Sequence, residues 1–151
     1  MGESETDDSN LVSYCGLFCP DCPLFKGKVS DLAKELRKEL RRVQYDKFAK
    51  YMSEFPSGKE LKQFKIFYSV LGSMVKYRCE NSCKLGGGSK DCEIRQCNLK
   101  HKFNGCWECS KYESCKKLDA LNSLHGNKHR QNLKNIREKG IKEILKKTDR
   151  W

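Results

Sequence analysis

The sequence predicts a mainly α fold, a small metal-stabilised domain with cysteine-rich turns packed on a long antiparallel helix pair and on C-terminal helices. Three observations lead there. Apolar residues recur at three- and four-residue steps through the middle and end of the chain, the period of an amphipathic helix. All ten cysteines fall within residues 11–25 and 79–115. No β-alternation of useful length and no internal repeat breaks the helical pattern. A chain of 151 residues suits one domain and is too short for an eight-stranded α/β barrel of about 250. It holds no apolar run of about 18 residues, so it has no membrane-spanning helix.

Residues 1–11 read as a disordered acidic tail, with Glu3, Glu5, Asp7 and Asp8 and no base. A single metal-binding domain over 12–151 follows. It opens on Tyr14-Cys15-Gly16-Leu17-Phe18-Cys19-Pro20-Asp21-Cys22-Pro23, where two prolines and a glycine forbid a regular helix and favour tight turns. Residues 28–78 read as an inserted helical hairpin. Its first helix runs from Val29 to Phe55, with apolar positions Val29, Leu32, Leu36, Leu40, Val43, Phe48, Met52 and Phe55 and one step of five between Val43 and Phe48. Pro56-Ser57-Gly58 ends it. The second runs from Lys59 to Tyr77, with Leu61, Phe64, Phe67, Tyr68, Leu71, Met74 and Val75 as its buried stripe.

Residues 79–115 form the main cysteine-rich metal region, interrupted by Gly86-Gly87-Gly88. The glycines lack the Gly-Lys-Ser/Thr ending and the preceding strand of a phosphate loop, so they read as a flexible linker. Residues 116–151 are helical again. Leu118, Leu121 and Leu124 line one short helix, His125-Gly126-Asn127 breaks it, and Leu133 and Ile136 line another up to a C-cap at Gly140. Ile141, Ile144 and Leu145 close the pattern.

The formal charge of +11 is unevenly placed. Residues 26–78 carry 14 bases against 6 acids, and residues 116–151 carry 11 against 4. Such an excess suits an anionic partner such as nucleic acid or a phosphate-bearing ligand on the basic helical face, and equally reads as the lysine-rich solvated surface of amphipathic helices. The polar, acidic start GESETDDSN has no secretory layout and predicts a cytoplasmic protein with reduced thiols.

In that compartment Cys15, Cys19, Cys22, Cys79, Cys83, Cys92, Cys97, Cys106, Cys109 and Cys115 read as metal ligands before disulfides. Their spacings are C-x3-C-x2-C, C-x3-C, C-x4-C, C-x2-C and one more. A pair two to four residues apart lets one turn present two thiolates to one ion, and structural zinc sites combine two such pairs. Iron–sulfur clusters accept the same ligands, and Cys22-Pro23 echoes a ferredoxin run that is otherwise missing. The spacing C-x3-C-x2-C also occurs in radical S-adenosylmethionine enzymes, but Asp21 stands where those carry an aromatic and the βα units are lacking. His101 lies between ligand pairs and is the candidate substitute ligand; His125 and His129 read as solvent-facing turn residues.

Cys15-Gly16-Leu17 with Cys19 and Cys22-Pro23, then Cys92-Glu93-Ile94-Arg95-Gln96-Cys97, Cys106-Trp107-Glu108-Cys109 and Cys115-Lys116-Lys117-Leu118, resemble an uncharacterised cysteine-rich prokaryotic family, domain of unknown function 3795. Asn132-Leu133 and Ile136-Arg137-Glu138-Lys139-Gly140 are similar to its closing helices. The likeness covers about residues 12–25 and 79–151, with the helical pair as a variable insert. It implies a metal-binding domain, usually taken as zinc, and no established reaction. No catalytic signature stands out, so the expected function is a structural zinc-binding domain of uncharacterised role acting as a binding or adaptor protein. The alternative is an iron–sulfur protein in electron transfer or redox sensing. A thiol sensor at Cys106-Trp107-Glu108-Cys109 lacks the strand–helix context of thioredoxins.

Overall fold

The step of five between Val43 and Phe48 marks a real break. Five residues turn a continuous helix by about 500°, which would carry Phe48 well off the stripe it extends. In the computed structural model, which describes residues 8–151, α1 (Lys28–Arg42) stops there, Gln44 takes a left-handed conformation at φ 52°, and α2 (Tyr45–Met52) starts in a new direction. The expected single helix over 29–55 is therefore two. Re-aimed in this way, Phe48 meets Tyr45 at a 5.2 Å ring separation, and Tyr45 meets Phe64 at 5.5 Å.

The second expected helix also starts late. Pro56–Gln63 is a 3-10 stretch, and α3 follows over Phe64–Lys76. Gly58 sits so close to α2 that a Cβ there would lie 2.2 Å from the Met52 carbonyl oxygen. Ser30 Oγ donates to the Val75 carbonyl at 2.8 Å, Arg41 donates to the Tyr68 hydroxyl, and Arg37 lies 4.6 Å from the Tyr68 ring centroid. Leu71 is the buried side chain of α3, whereas Phe67 and Met74, expected in the stripe, are exposed. Small residues (Ser30, Ala33, Ala49, Ser53) are buried with Leu71, while the Phe48, Phe55 and Phe67 rings are exposed. These helices form one compact unit, Lys26–Arg78.

The other unit combines the chain up to Phe25 with Cys79–Trp151. It contains α4 (Glu93–His101), α5 (Lys116–Asp119), α6 (Asn122–His125), α7 (Lys128–Lys139) and α8 (Lys142–Leu145). Its core lies along α7, whose Leu133 packs with Ile94, Cys106, Tyr112 and Leu118, and whose Ile136 packs with Val12, Phe18 and Ile144. Trp107 touches both groups, and Cys15, Cys92 and Cys115 flank the first. Of the positions read from the helical period, Leu118, Leu133, Ile136 and Ile144 are core, Leu121, Ile141 and Leu145 pack against it, and Leu124 is exposed; Gly140 ends α7 with its N–H on the Ile136 carbonyl at φ +88°. Among the described residues there is no β-strand, only the isolated bridges Val12–Phe18 and Phe25–Cys79. No helix among them is long and apolar enough to cross a membrane. Of the expected acidic tail, residues 1–7 lie outside the described residues, and Asp8–Leu11 forms a 3-10 turn.

The chain's last residues hold the first cysteine turn. Arg150 pairs with both oxygens of Asp21 at 2.7 and 3.1 Å, lies 4.1 Å from the Phe18 ring centroid, and donates to the Leu145 carbonyl. Asn132 Nδ2 donates to the Arg150 carbonyl, and Trp151 meets His125 edge-on at 4.4 Å. His125 and His129, expected in solvent, are both buried, with relative exposures of 8% and 0%. Gly126 adopts φ +54° and turns α6 into α7, which carries both rings inward.

Burial lowers the pKa of both histidines, and Arg130 and His125 lower His129 further. The unfolded chain therefore binds protons near pH 6.5 that the folded chain refuses. Stability is full above that pH and declines as the pH falls through it, until the folded imidazoles themselves protonate. We expect urea midpoints to fall between about pH 7.5 and 5.5 and His129→Gln to flatten the decline. A wild-type midpoint that rises over this interval would contradict the assignment.

Candidate metal centre

Each cysteine cluster sits on a turn built to present sulfur. Cys19–Asp21 and Cys106–Glu108 are matching 3-10 turns. In each, the second cysteine of the C-x2-C pair donates its N–H to the carbonyl of the first: Cys22 to Cys19 at 2.9 Å, and Cys109 to Cys106 at 3.1 Å. Cys92 and Cys115 stand at the extended positions that start α4 and α5, and Cys97 follows on α4. Backbone bonds tie these turns together, with the Cys106 N–H on the Tyr14 carbonyl and the Cys79 N–H on the Leu24 carbonyl, both at 2.8 Å.

The fold sets several thiols near enough to influence one another: Cys83 and Cys92 act electrostatically on Cys15, Cys83, Cys15 and Cys79 act on Cys19, Cys92 acts on Cys83, and Cys15, Cys115 and Cys97 act on Cys106. Cys22 and Cys109 ride on the same turns as Cys19 and Cys106. All ten cysteines are free of disulfides. Among the described residues, no three Cys, His, Asp or Glu side chains converge as they would on an ion.

Several sulfurs have hydrogen-bond partners. Gly88 N–H donates to Cys79 Sγ at 3.1 Å, and the Cys79 thiol in turn donates to the Asn81 carbonyl at 3.0 Å. The backbone of Leu17, Cys83 and Tyr14 lowers the pKa of Cys15, Cys19 and Cys83 respectively. Asn98, 1% exposed on α4, donates from Nδ2 to the Ile94 carbonyl at 2.8 Å and to Cys106 Sγ at 3.1 Å. The Ile94 carbonyl can only accept, so the amide must turn its NH2 group inward, and the second N–H then obliges the sulfur to accept. Burial nevertheless raises the Cys15 pKa to about 11 and those of Cys19 and Cys106 to about 12, with neighbouring thiols adding to the rise. The donors favour thiolates, while the dry core and the other sulfurs oppose uncompensated negative charge.

His101 Nδ1 lies 2.8 Å from the Cys97 carbonyl, and its ring stacks on Phe103 at 5.5 Å. Nδ1–H therefore donates to the carbonyl, leaving the Nε2 lone pair outward. Sequence reasoning missed Asn98 and Ser13, whose Oγ lies 3.0 Å from Cys15 Sγ. An asparagine beside Cys97, at a position where α4 turns toward the core, was the available signal.

Gly86-Gly87-Gly88 is not the flexible linker expected. It wraps Cys79: the Gly87 N–H bonds the Ser82 carbonyl at 2.8 Å, and Arg95 donates to the Gly87 carbonyl at 3.0 Å. A family model described as protein of unknown function (DUF3795) matches residues 11–120. That span runs through the Lys26–Arg78 unit, read above as a variable insert, and stops before α7, where the likeness to closing helices was noted. Neither curated proteins nor solved structures give a match.

Proposed function

This chain belongs to the DUF3795 family of proteins of unknown function, and we propose that it is a structural zinc-binding protein of the binding or adaptor kind. The observation that carries the reading is the buried Asn98 amide, which donates an N–H to Cys106 Sγ in a unit whose core is flanked by Cys15, Cys92 and Cys115. Donor hydrogen bonds to sulfur and thiol proximity suit thiolate ligands, and the opposing effect of burial is removed when a cation shares the site. Zinc would supply that charge and would couple thiol deprotonation to folding. Cys15, Cys19, Cys79, Cys83 and Cys92 would hold one site and Cys97, Cys106 and Cys115 the other, with Cys22 and Cys109 on adjoining turns and His101 as a substitute. The helices of residues 28–78, read as an antiparallel pair, and those after Cys115 carry the basic excess, so the expected partner is anionic, in a reducing cytoplasmic setting.

Anaerobic purification followed by elemental analysis for zinc, iron and sulfide tests this. Zinc at two or more per chain in colourless protein is the expected result, reduced in Cys83→Ser and Cys106→Ser. Iron with stoichiometric sulfide would replace the zinc reading by a cluster protein in electron transfer or redox sensing. Protein with none of the three would overturn both.

A further inference from the structure

Within the Lys26–Arg78 unit, α1 and α3 meet along a line marked by the buried Ser30, Ala33 and Leu71. At about 100° per residue, Val29, Leu32 and Leu36 fall roughly 100° to one side of that line on α1. Phe67, Val70 and Met74 fall at a similar offset, in the same rotational sense, on α3. The contacts match start to end, since Ser30 meets Val75 and Arg41 meets Tyr68. Two helices related in this way are exchanged by a two-fold axis between them, which keeps equal offsets on the same side of the pair. The six side chains therefore share one face, and each is 37–62% exposed.

That face is apolar without a charged border on its helices. Leu40, which lies between it and the line of contact, is apolar as well. Lys34 and Lys38 of α1 and Lys65 and Lys76 of α3 stand at the opposite offset, on the other side of the pair. A polyanion is drawn to that basic side, whereas the bare side fits another apolar face of similar width. The six side chains expose about 500 Å2, the upper range for the largest apolar patch of a monomer. Burying that surface on two copies removes about 1,000 Å2 from water, the size at which specific interfaces begin.

We propose that this face pairs with the same face of a second copy of the chain, joining two helix pairs into a four-helix bundle. A two-fold dimer needs only one self-complementary patch, and apolar helix faces stack as bundles. Each copy turns its lysines outward, about a helix diameter of 10 Å from the seam and beyond the roughly 8 Å screening length at physiological salt. The 14 bases against 6 acids of residues 26–78 therefore permit pairing and stay open to an anionic partner. The face lies wholly inside one unit that carries no cysteine, so the proposal is independent of the ion the thiols hold.

The test is sedimentation equilibrium of the full chain with its thiols kept reduced. A monomer–dimer equilibrium is expected with a Kd on the order of 10 μM. It should tighten as sodium chloride rises from about 50 to about 300 mM, the reverse of binding to a polyanion. Leu36→Glu and Val70→Glu, one on each helix, should weaken pairing at least about tenfold. Lys38→Glu and Lys65→Glu, on the opposite side, should not weaken it. All four side chains are exposed in the single chain, so the fold should tolerate each change, and far-ultraviolet dichroism and metal content are recorded for every variant. A chain that stays monomeric to about 300 μM, a dimer that both face variants leave intact, or one that Lys38→Glu weakens equally would overturn the proposal. If a face variant loses helicity, hydrogen exchange of the unaltered chain decides. Slower exchange along α1 and α3 at high than at low protein concentration supports pairing, and equal exchange overturns it.

Discussion

On the zinc reading, chelation at neutral pH should unfold the unit formed by the chain up to Phe25 and Cys79–Trp151, the largest effect expected of any treatment of this protein. Its fully buried apolar side chains are few, with Val12, Leu118, Leu133 and Ile144 at 0% exposure, and the shell around them includes Cys15, Cys92, Cys106 and Cys115. Structural zinc sites contribute about 10–16 kcal/mol of apparent binding free energy, as much as a whole domain's net stability of about 5–15 kcal/mol. On that reading, loss of the ion would leave neutral thiols with no shared cation to hold the turns together. Near-ultraviolet dichroism from Trp107 and Trp151 should collapse on chelation, hydrogen exchange along α7 should rise to the unprotected rate, and both should recover on adding zinc. Unchanged melting after complete metal removal would mean that the cysteines are packing residues, with folding independent of any ion.

Gly87→Ala is expected to destabilise the same unit by about 3 kcal/mol or more, a size reserved for substitutions that force backbone apart. A Cβ at Gly87 would lie 1.6 Å from the Asn81 carbonyl oxygen and 3.0 Å from Cys79 Sγ. Backbone cannot yield there as a flexible side chain could, so the loop must open and Gly88 must release Cys79. Gly86, its neighbour, is the internal control. It has a φ of +92° and nothing within 4 Å of its would-be Cβ, so Gly86→Ala costs only about 1 kcal/mol of left-handed strain. Urea denaturation of the two variants separates the cases, and metal content should fall in Gly87→Ala alone. Equal effects would restore the flexible-linker reading of the three glycines.

These two expectations divide the molecule along the line between what was legible and what was not. The helical period marked Leu118, Leu133, Ile136 and Ile144, which are core, because a stripe repeating every 3.6 residues can be buried in only one way. The same logic overreached for Phe67 and Met74. Periodicity reports which residues share a face and is silent on whether a partner exists to cover it. The break at Gln44 left a trace, the step of five, but a left-handed glutamine has no composition signal of its own. His125 and His129 beside Gly126 looked like a solvent turn, because a breaker says where a helix stops and not which way the next one points.

For the candidate site, chemistry was local and geometry was not. Spacings of two to four residues place two sulfurs on one turn whatever the rest of the chain does, so the cysteine pairs, the family likeness and the helical class could be read from the sequence alone. Which pairs meet depends on contacts between residues far apart, such as Cys106 N–H on the Tyr14 carbonyl and Cys79 N–H on the Leu24 carbonyl. Only the tertiary structure decides those contacts. It likewise decided that Asn98 turns its amide to Cys106, that three glycines close around Cys79, and that α1 and α3 leave one apolar face bare. The reason is physical: a turn is specified by a few adjacent residues, whereas a shared site requires the whole core to bring distant turns together.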